Sequence, residues 1–268
     1  MFRFGFLGGG QMAEAIIGGL KEKATEYHLE YVLYDPARER RLWLKDKYDV
    51  EILNSNKEVM ERSSVVFVAV KPQIYPEIKD IIAENYREGQ IIISMMAGVD
   101  LDALEEGLPG AKIIRIMPNT AMAVGAGVCL FAANQKVADK EKSWLVEVLS
   151  TLGLVQELNE SIMDGAMAVS ASSPAFFYTM IEGLILGGIE VGLPKKMAKE
   201  LAVHTMLGCA KLLLETGEEA PVLRDNVLSP GGTTIEGIRK LEAGGFRSDI
   251  IEAVAATAAK GKALSLKE

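Results

Sequence analysis

The chain has 268 residues, of which 49% are hydrophobic and 25% charged, with a formal net charge of −8. That balance suits one large soluble domain or two ordinary ones. It excludes a nucleic-acid-binding role that depends on a basic face. The two cysteines, Cys129 and Cys209, lie far apart in apolar surroundings and read as buried thiols of a cytoplasmic protein, not as a disulfide. The opening apolar run lacks a signal-peptide layout, because no basic segment precedes it and glycines follow at once. No uncharged span reaches the ~18 residues of a transmembrane helix, so no membrane association is expected.

In chain order, short β-branched runs at 3–7, 31–34, 65–70, 91–94, 112–117 and 127–132 predict strands. Amphipathic segments at 12–23, 37–47, 57–62, 74–85, 101–106 and 140–151 alternate with them. This alternation predicts an α/β, Rossmann-type doubly wound parallel sheet over 1–160, with helices on both faces. The strands are nearly all apolar, as strands buried on two sides are. Near 159–165 the pattern changes, and 161–268 reads as all-helical. Ser173 and Pro174 have the grammar of an N-cap and a first-turn proline, for a helix reaching about Val191 and stopped by Gly192. Pro194 opens a second helix that runs to Thr216 and stops at Gly217. Further helices are expected at 221–227, 233–243 and 248–266, the last with Ser248 as N-cap. These segments are apolar around most of their circumference, which predicts a homodimer through the C-terminal helices.

Two glycine turns carry the chemistry. Gly8-Gly9-Gly10-Gln11-Met12-Ala13 fits G-x-G-x-x-A between a strand and a helix. Gly8 allows the tight turn, Gly10 admits a pyrophosphate, and Ala13 permits close packing. Asp35 follows near the offset of about 20 residues at which an acid bonds a ribose hydroxyl. It can equally cap the next helix, and Arg38, Arg40 and Arg41 offer charges for a 2′-phosphate, so NADH and NADPH both remain open. Lys71 and Pro72 end a strand on the sheet edge where a cofactor lies, and Asn119 ends a later one. Asn119 is therefore a candidate near the nicotinamide, with a plain turn asparagine as the alternative.

The second turn is Ser229-Pro230-Gly231-Gly232-Thr233-Thr234. Thr233 and Glu236 have capping-box spacing, so Thr233 could serve only as a cap. The glycines also leave amides open to a carboxylate. Ser229, Gly231, Gly232, Thr233 and Thr234 are therefore the candidate substrate-binding residues.

GGGQMAEAIIGGL (8–20), AVKPQ (69–73), MPNTA (117–121) and LSPGGTTIEGIRKLEAGGFR (228–247) resemble pyrroline-5-carboxylate reductase, in order along essentially the whole chain. The resemblance implies reduction of 1-pyrroline-5-carboxylate to proline with NADPH or NADH. It implies an intertwined dimer that assembles further into a decamer. It also implies cofactor contacts at Gly8, Gly10, Gln11, Met12, Asn56, Ala69, Lys71 and Asn119. The substrate carboxylate would sit on Gly231–Thr234, with the Thr233 hydroxyl at the ring nitrogen as the catalytic group. Three positions depart from the usual pattern: Ala121 replaces a proline, and Ala171 and Ser173 replace glycines.

An iminium accepts hydride without a strong acid, so the chemistry needs no catalytic histidine. His28 lies in a surface segment, His204 reads as a packed or interface residue of an apolar helix, and no metal-ligand cluster appears. The rival readings are a reductase of a related cyclic imine or hydroxy acid, and a non-catalytic dinucleotide-binding sensor. Lys195, Lys196, Lys199 and Lys211 offer the hydroxy-acid reading no polar cluster.

Overall fold

A computed structural model describes residues 2–265 of the chain. By its contacts the chain forms two compact units, Met1–Ser172 with Ala256–Glu268, and Ser173–Ala255.

The first unit holds eight strands: β1 (Arg3–Leu7), β2 (Glu30–Tyr34), β3 (Glu51–Ile52), β4 (Val65–Val68), β5 (Ile91–Ser94), β6 (Lys112–Pro118), β7 (Gly127–Ala133) and β8 (Gly153–Glu157). They form one sheet in the order β3-β2-β1-β4-β5-β6-β7-β8. Every pairing is parallel except β6 with β7. The connecting helices are α1 (Gln11–Lys23), α2 (Arg38–Tyr48), α3 (Asn56–Arg62), α4 (Tyr75–Asn85), α5 (Leu101–Gly107) and α6 (Asp139–Ser150).

The strands bury residues on both faces with a period of two. Val65 and Phe67 of β4 join Phe4, Phe6, Ile16 and Leu149 in one core. Val66 and Val68 join Leu7, Ile78, Ile82 and Leu104 in the other. Arg115 interrupts the apolar run of β6 and is 2% exposed. Its guanidinium meets Glu160 at 2.8 Å and Asp164 at 3.9 Å. Glu160 also accepts the Leu101 N–H, so this pair ties α5 and the start of the next helix to the sheet.

That helix corrects the reading of Ser173 as an N-cap. α7 (Met163–Met167) runs through a π turn at Ala168–Ser172 into α8 (Ser173–Glu190) without a break. Pro174 has no N–H for the Ser170 carbonyl, its i−4 partner. The π turn changes the hydrogen-bond register there, and Asn119 Nδ2 donates to Ser170 O at 3.0 Å. By length and composition alone, Glu160–Glu190 could cross a membrane. The sequence expectation differed because it required a span free of charge.

The second unit contains α8, α9 (Lys195–Thr216), α10 (Ala220–Asn226), α11 (Thr233–Ala243) and most of α12 (Phe246–Ser265). Gly217 ends α9 in the left-handed conformation (φ 66°). α8 and α9 approach through small residues: a Cβ on Gly188 would lie 2.9 Å from the Ala198 Cβ. Ala198 and Ala202 are buried, whereas Tyr178, Leu184, Leu186, Leu207 and Leu214 are exposed. α12 starts at Phe246 directly after Gly245 (φ 79°), so Ser248 lies inside the helix instead of capping it. The expected end at Leu266 lies outside the described residues. The final turns of α12 rejoin the first unit, where Gly261 sits against Met167 and Asp164, and Leu264 against Gly98.

Candidate active site

β1, β2, β4, β5 and β6 all end on one edge of the sheet, where doubly wound folds bind ligands. At that edge Gly8 takes φ 97°, a conformation that disfavours any side chain. Its N–H donates to Tyr34 O at 2.8 Å, and a Cβ would stand 2.8 Å from Ala69 O. Gly10 is the N-cap of α1 and supplies no side-chain cap. The nearest atom to a Cβ built on Gly10 is Ala69 O at 4.0 Å, so the approach to the first-turn N–H groups is open. Gln11 and Met12 form that first turn, and Ala13 is fully buried beneath it. A bare helix N-terminus behind a side-chain-free turn fits a pyrophosphate.

Asp35 is not the N-cap of α2, and both its carboxylate oxygens are held by loop backbone N–H groups. Its Oδ2 accepts the Gly9 N–H and its Oδ1 accepts the Ala37 N–H, both at 2.8 Å. Ala37 is the N-cap of α2, which therefore begins at Arg38. Arg40 donates from Nε to Gly9 O at 2.5 Å and from Nη2 to Glu14 at 2.6 Å. Burial raises the pKa of Glu14, but hydrogen bonds from Arg40, Lys47 and Tyr48 outweigh it and hold the carboxyl below its ordinary value. The Arg40–Glu14 clasp on the glycine turn escaped the sequence reading, because nothing local marks one arginine among three.

The remaining candidates lie around the same edge. Asn56 is the first residue of α3, whose N-cap Ser55 accepts the Glu58 N–H. Ala69 donates to Leu7 O at 2.9 Å. Lys71 is exposed, without a side-chain partner among the described residues, and precedes the short turn Pro72–Ile74. Asn119 is 7% exposed. Its Oδ1 accepts the Ala121 and Val128 N–H groups, both at 3.2 Å, and Nδ2 holds Ser170. The turn role is thus real, and one Nδ2 hydrogen is left for a ligand. The N–H that Ala121 donates is one that a proline there would lack.

In the second unit, Ser229, Gly231 and Gly232 form the turn before α11, and Thr233 and Thr234 begin the helix. Gly231 takes φ 68°, and the Gly232 N–H donates to Ser229 O at 2.9 Å. Gly232, not Thr233, is the N-cap, with no side-chain cap. The capping box read from the sequence does not form, since Glu236 pairs with Arg239 at 2.8 Å instead. The helix begins one residue earlier than a threonine cap would start it. Thr233 and Thr234 are therefore exposed first-turn residues whose hydroxyls are not taken up by capping.

Cys129 is buried, and burial pushes its thiol up to about 12, which makes it inert, whereas Cys209 is exposed on α9 and corrects the expectation that both thiols are buried. No group of three His, Cys, Asp or Glu among the described residues could hold a metal.

Two family models match the chain: pyrroline-5-carboxylate reductase dimerisation at residues 160–264, and coenzyme F420-dependent NADP oxidoreductase at residues 3–98. The pyrroline-5-carboxylate reductase of Synechocystis sp. is 40% identical over 265 residues, covering 99% of each chain. The Escherichia coli enzyme of that name is 34% identical over 264 residues, covering 98% of each. The crystal structure of Plasmodium falciparum pyrroline carboxylate reductase with NADP bound superposes with a TM-score of 0.90 at 29% identity, covering 98% of both chains.

Proposed function

This chain belongs to the pyrroline-5-carboxylate reductase family, and from that premise we propose how its own residues carry the reaction. It is an NAD(P)H-dependent oxidoreductase that reduces the C=N bond of 1-pyrroline-5-carboxylate to give proline. The chemistry supplied by the bound cofactor is hydride donation. Gly10, Gln11 and Met12 receive the pyrophosphate at the open helix start, and Gly8, whose N–H is held by Tyr34 O, shapes the turn that lets it approach. Asp35 and Asn56 meet the adenosine ribose, and Ala69, Lys71, Pro72 and Asn119 line the edge toward the nicotinamide. The amides of Gly231, Thr233 and Thr234 hold the substrate carboxylate, while Gly232, bonded to Ser229 O, keeps the turn in shape and bare of a side chain. The Thr233 hydroxyl orients the ring nitrogen and steadies its proton, while the protein supplies alignment. Residues 1–160 act as the cofactor domain and 161–268 as the substrate and dimerisation domain. The dimer builds toward a decamer in the cytoplasm.

The carrying observation is the uncapped start of α11: Gly232 leaves the first-turn amides and both threonine hydroxyls open. The test is loss of absorbance at 340 nm with purified protein and 1-pyrroline-5-carboxylate. Turnover is expected with the wild-type chain. Dinucleotide binding without turnover would instead support the sensor reading.

A further inference from the structure

The contacts around Asp35 extend the cofactor reading, on which this inference rests, to the choice between two dinucleotides. They differ only in the ribose 2′ substituent, a hydroxyl that donates or a phosphate that only accepts and carries up to two negative charges. Asp35 stands at the end of β2 with both carboxylate oxygens fixed, one on Gly9 N and one on Ala37 N, at 2.8 Å each. Each oxygen keeps a further acceptor site. A hydroxyl beside it finds an acceptor, whereas a phosphate meets a like charge that cannot swing away without breaking the glycine turn.

The cations that could offset this are largely committed. Arg40 is held by Glu14 and Gly9 O, and its guanidinium stacks 4.6 Å from the Trp43 ring. Arg41 donates to Asp35 O at 2.8 Å and lies over Tyr34. Lys47 also faces Glu14, at 3.3 Å. Only Arg38, exposed at the first position of α2, is without a partner among the described residues. The Plasmodium falciparum relative holds NADP on the same fold, so any preference must come from side chains.

We propose that Asp35 is a specificity-determining residue that makes this chain prefer NADH to NADPH. Binding of the two reduced dinucleotides to the full-length protein is measured by titration calorimetry without substrate, alongside kcat/KM for each. NADPH is expected to bind about 10-fold or more weakly than NADH, as a like-charge contact predicts. Asp35→Asn narrows that gap by about 10-fold by removing the charge, and because Nδ2 cannot accept one of the two N–H groups that Asp35 holds, the effect is read as the ratio of the two affinities. Arg38→Ala shifts either affinity by no more than about 2-fold, as an exposed charge does. Equal or tighter NADPH binding by the wild-type chain overturns the proposal. An unchanged gap in Asp35→Asn, or a selective loss of NADPH in Arg38→Ala, also overturns it. If Asp35→Asn does not fold, the wild-type gap and Arg38→Ala decide. Failure of the underlying reading looks different: no reduction of 1-pyrroline-5-carboxylate with either cofactor, or no dinucleotide binding at all.

Discussion

In the sheet unit Phe4, Phe6, Phe67 and Phe131 are removed from water, whereas in the helical unit Tyr178, Leu186, Leu214 and Ile251 stand in it. The first unit covers both faces of its strands with its own helices and fills two cores. The second pairs α8 with α9 through glycine and alanine and leaves its large apolar side chains outward. Exposure on this scale marks an interface, and the matched dimerisation model spans the same helices. That match also covers the apolar stretch Glu160–Glu190. One unit is stabilised from within, and the other by another copy of itself.

The contrast breaks most sharply in the helices. Leu186→Glu should place a carboxylate in the shared interface, at a cost of several kcal/mol. Sedimentation should then show monomers, and turnover should fall by roughly 100-fold or more. An intact oligomer at full activity would put Leu186 on an open surface. In the sheet unit the largest effect should come from within: Arg115→Ala leaves Glu160 and Asp164 without their cation and should cost about 3 kcal/mol. Urea unfolding monitored by circular dichroism checks this, and the oligomer should persist in the folded fraction.

Thr233→Ala sharpens the comparison by separating function from stability. Turnover should fall about 10-fold, or ~1.4 kcal/mol of transition-state stabilisation. The melting curve should barely move, because Gly232 is the cap. Unchanged kinetics would remove Thr233 from the chemistry. The smallest effect concerns Glu14, whose pKa is depressed in the folded state. Its contribution is present above the unfolded value near 4.5 and is lost as pH falls through the lower folded value. The melting difference between wild type and Glu14→Gln should therefore be constant near neutrality and vanish in strong acid.

Much of the sheet was legible because the longer strands are largely apolar, with β6 interrupted only by Arg115 inside its run, and turn residues punctuate them. β3 is a two-residue strand with an exposed glutamate, and β8 is largely exposed, so neither carries a burial pattern that a sequence can reveal. Ser173-Pro174 follows the local grammar of a helix start. It was overruled by tertiary context, since a π turn and Asn119 from a distant strand accommodate the proline. Thr233-Thr234-Ile235-Glu236 failed for a related reason: two glycines and Ser229 shape the turn and move the cap back by one residue. The glycine turns themselves were readable, because Gly8 and Gly231 hold positive φ values that other residues avoid. The clasp of Arg40 on Gly9 was not, because it joins a helix residue to a turn 31 positions away.

The return of α12 to the first unit has a consequence in time. Met167, Asp164 and Gly98 find Gly261 and Leu264 only when the end of the chain arrives. Synthesis delivers the sheet first and these turns last. On the ribosome the nascent sheet unit therefore waits, nearly complete, with one flank unsealed. The residues that close it emerge only after every helix of the second unit has been made. A reductase cut short by a stop codon late in its message would thus lose part of its first domain as well as its last helix.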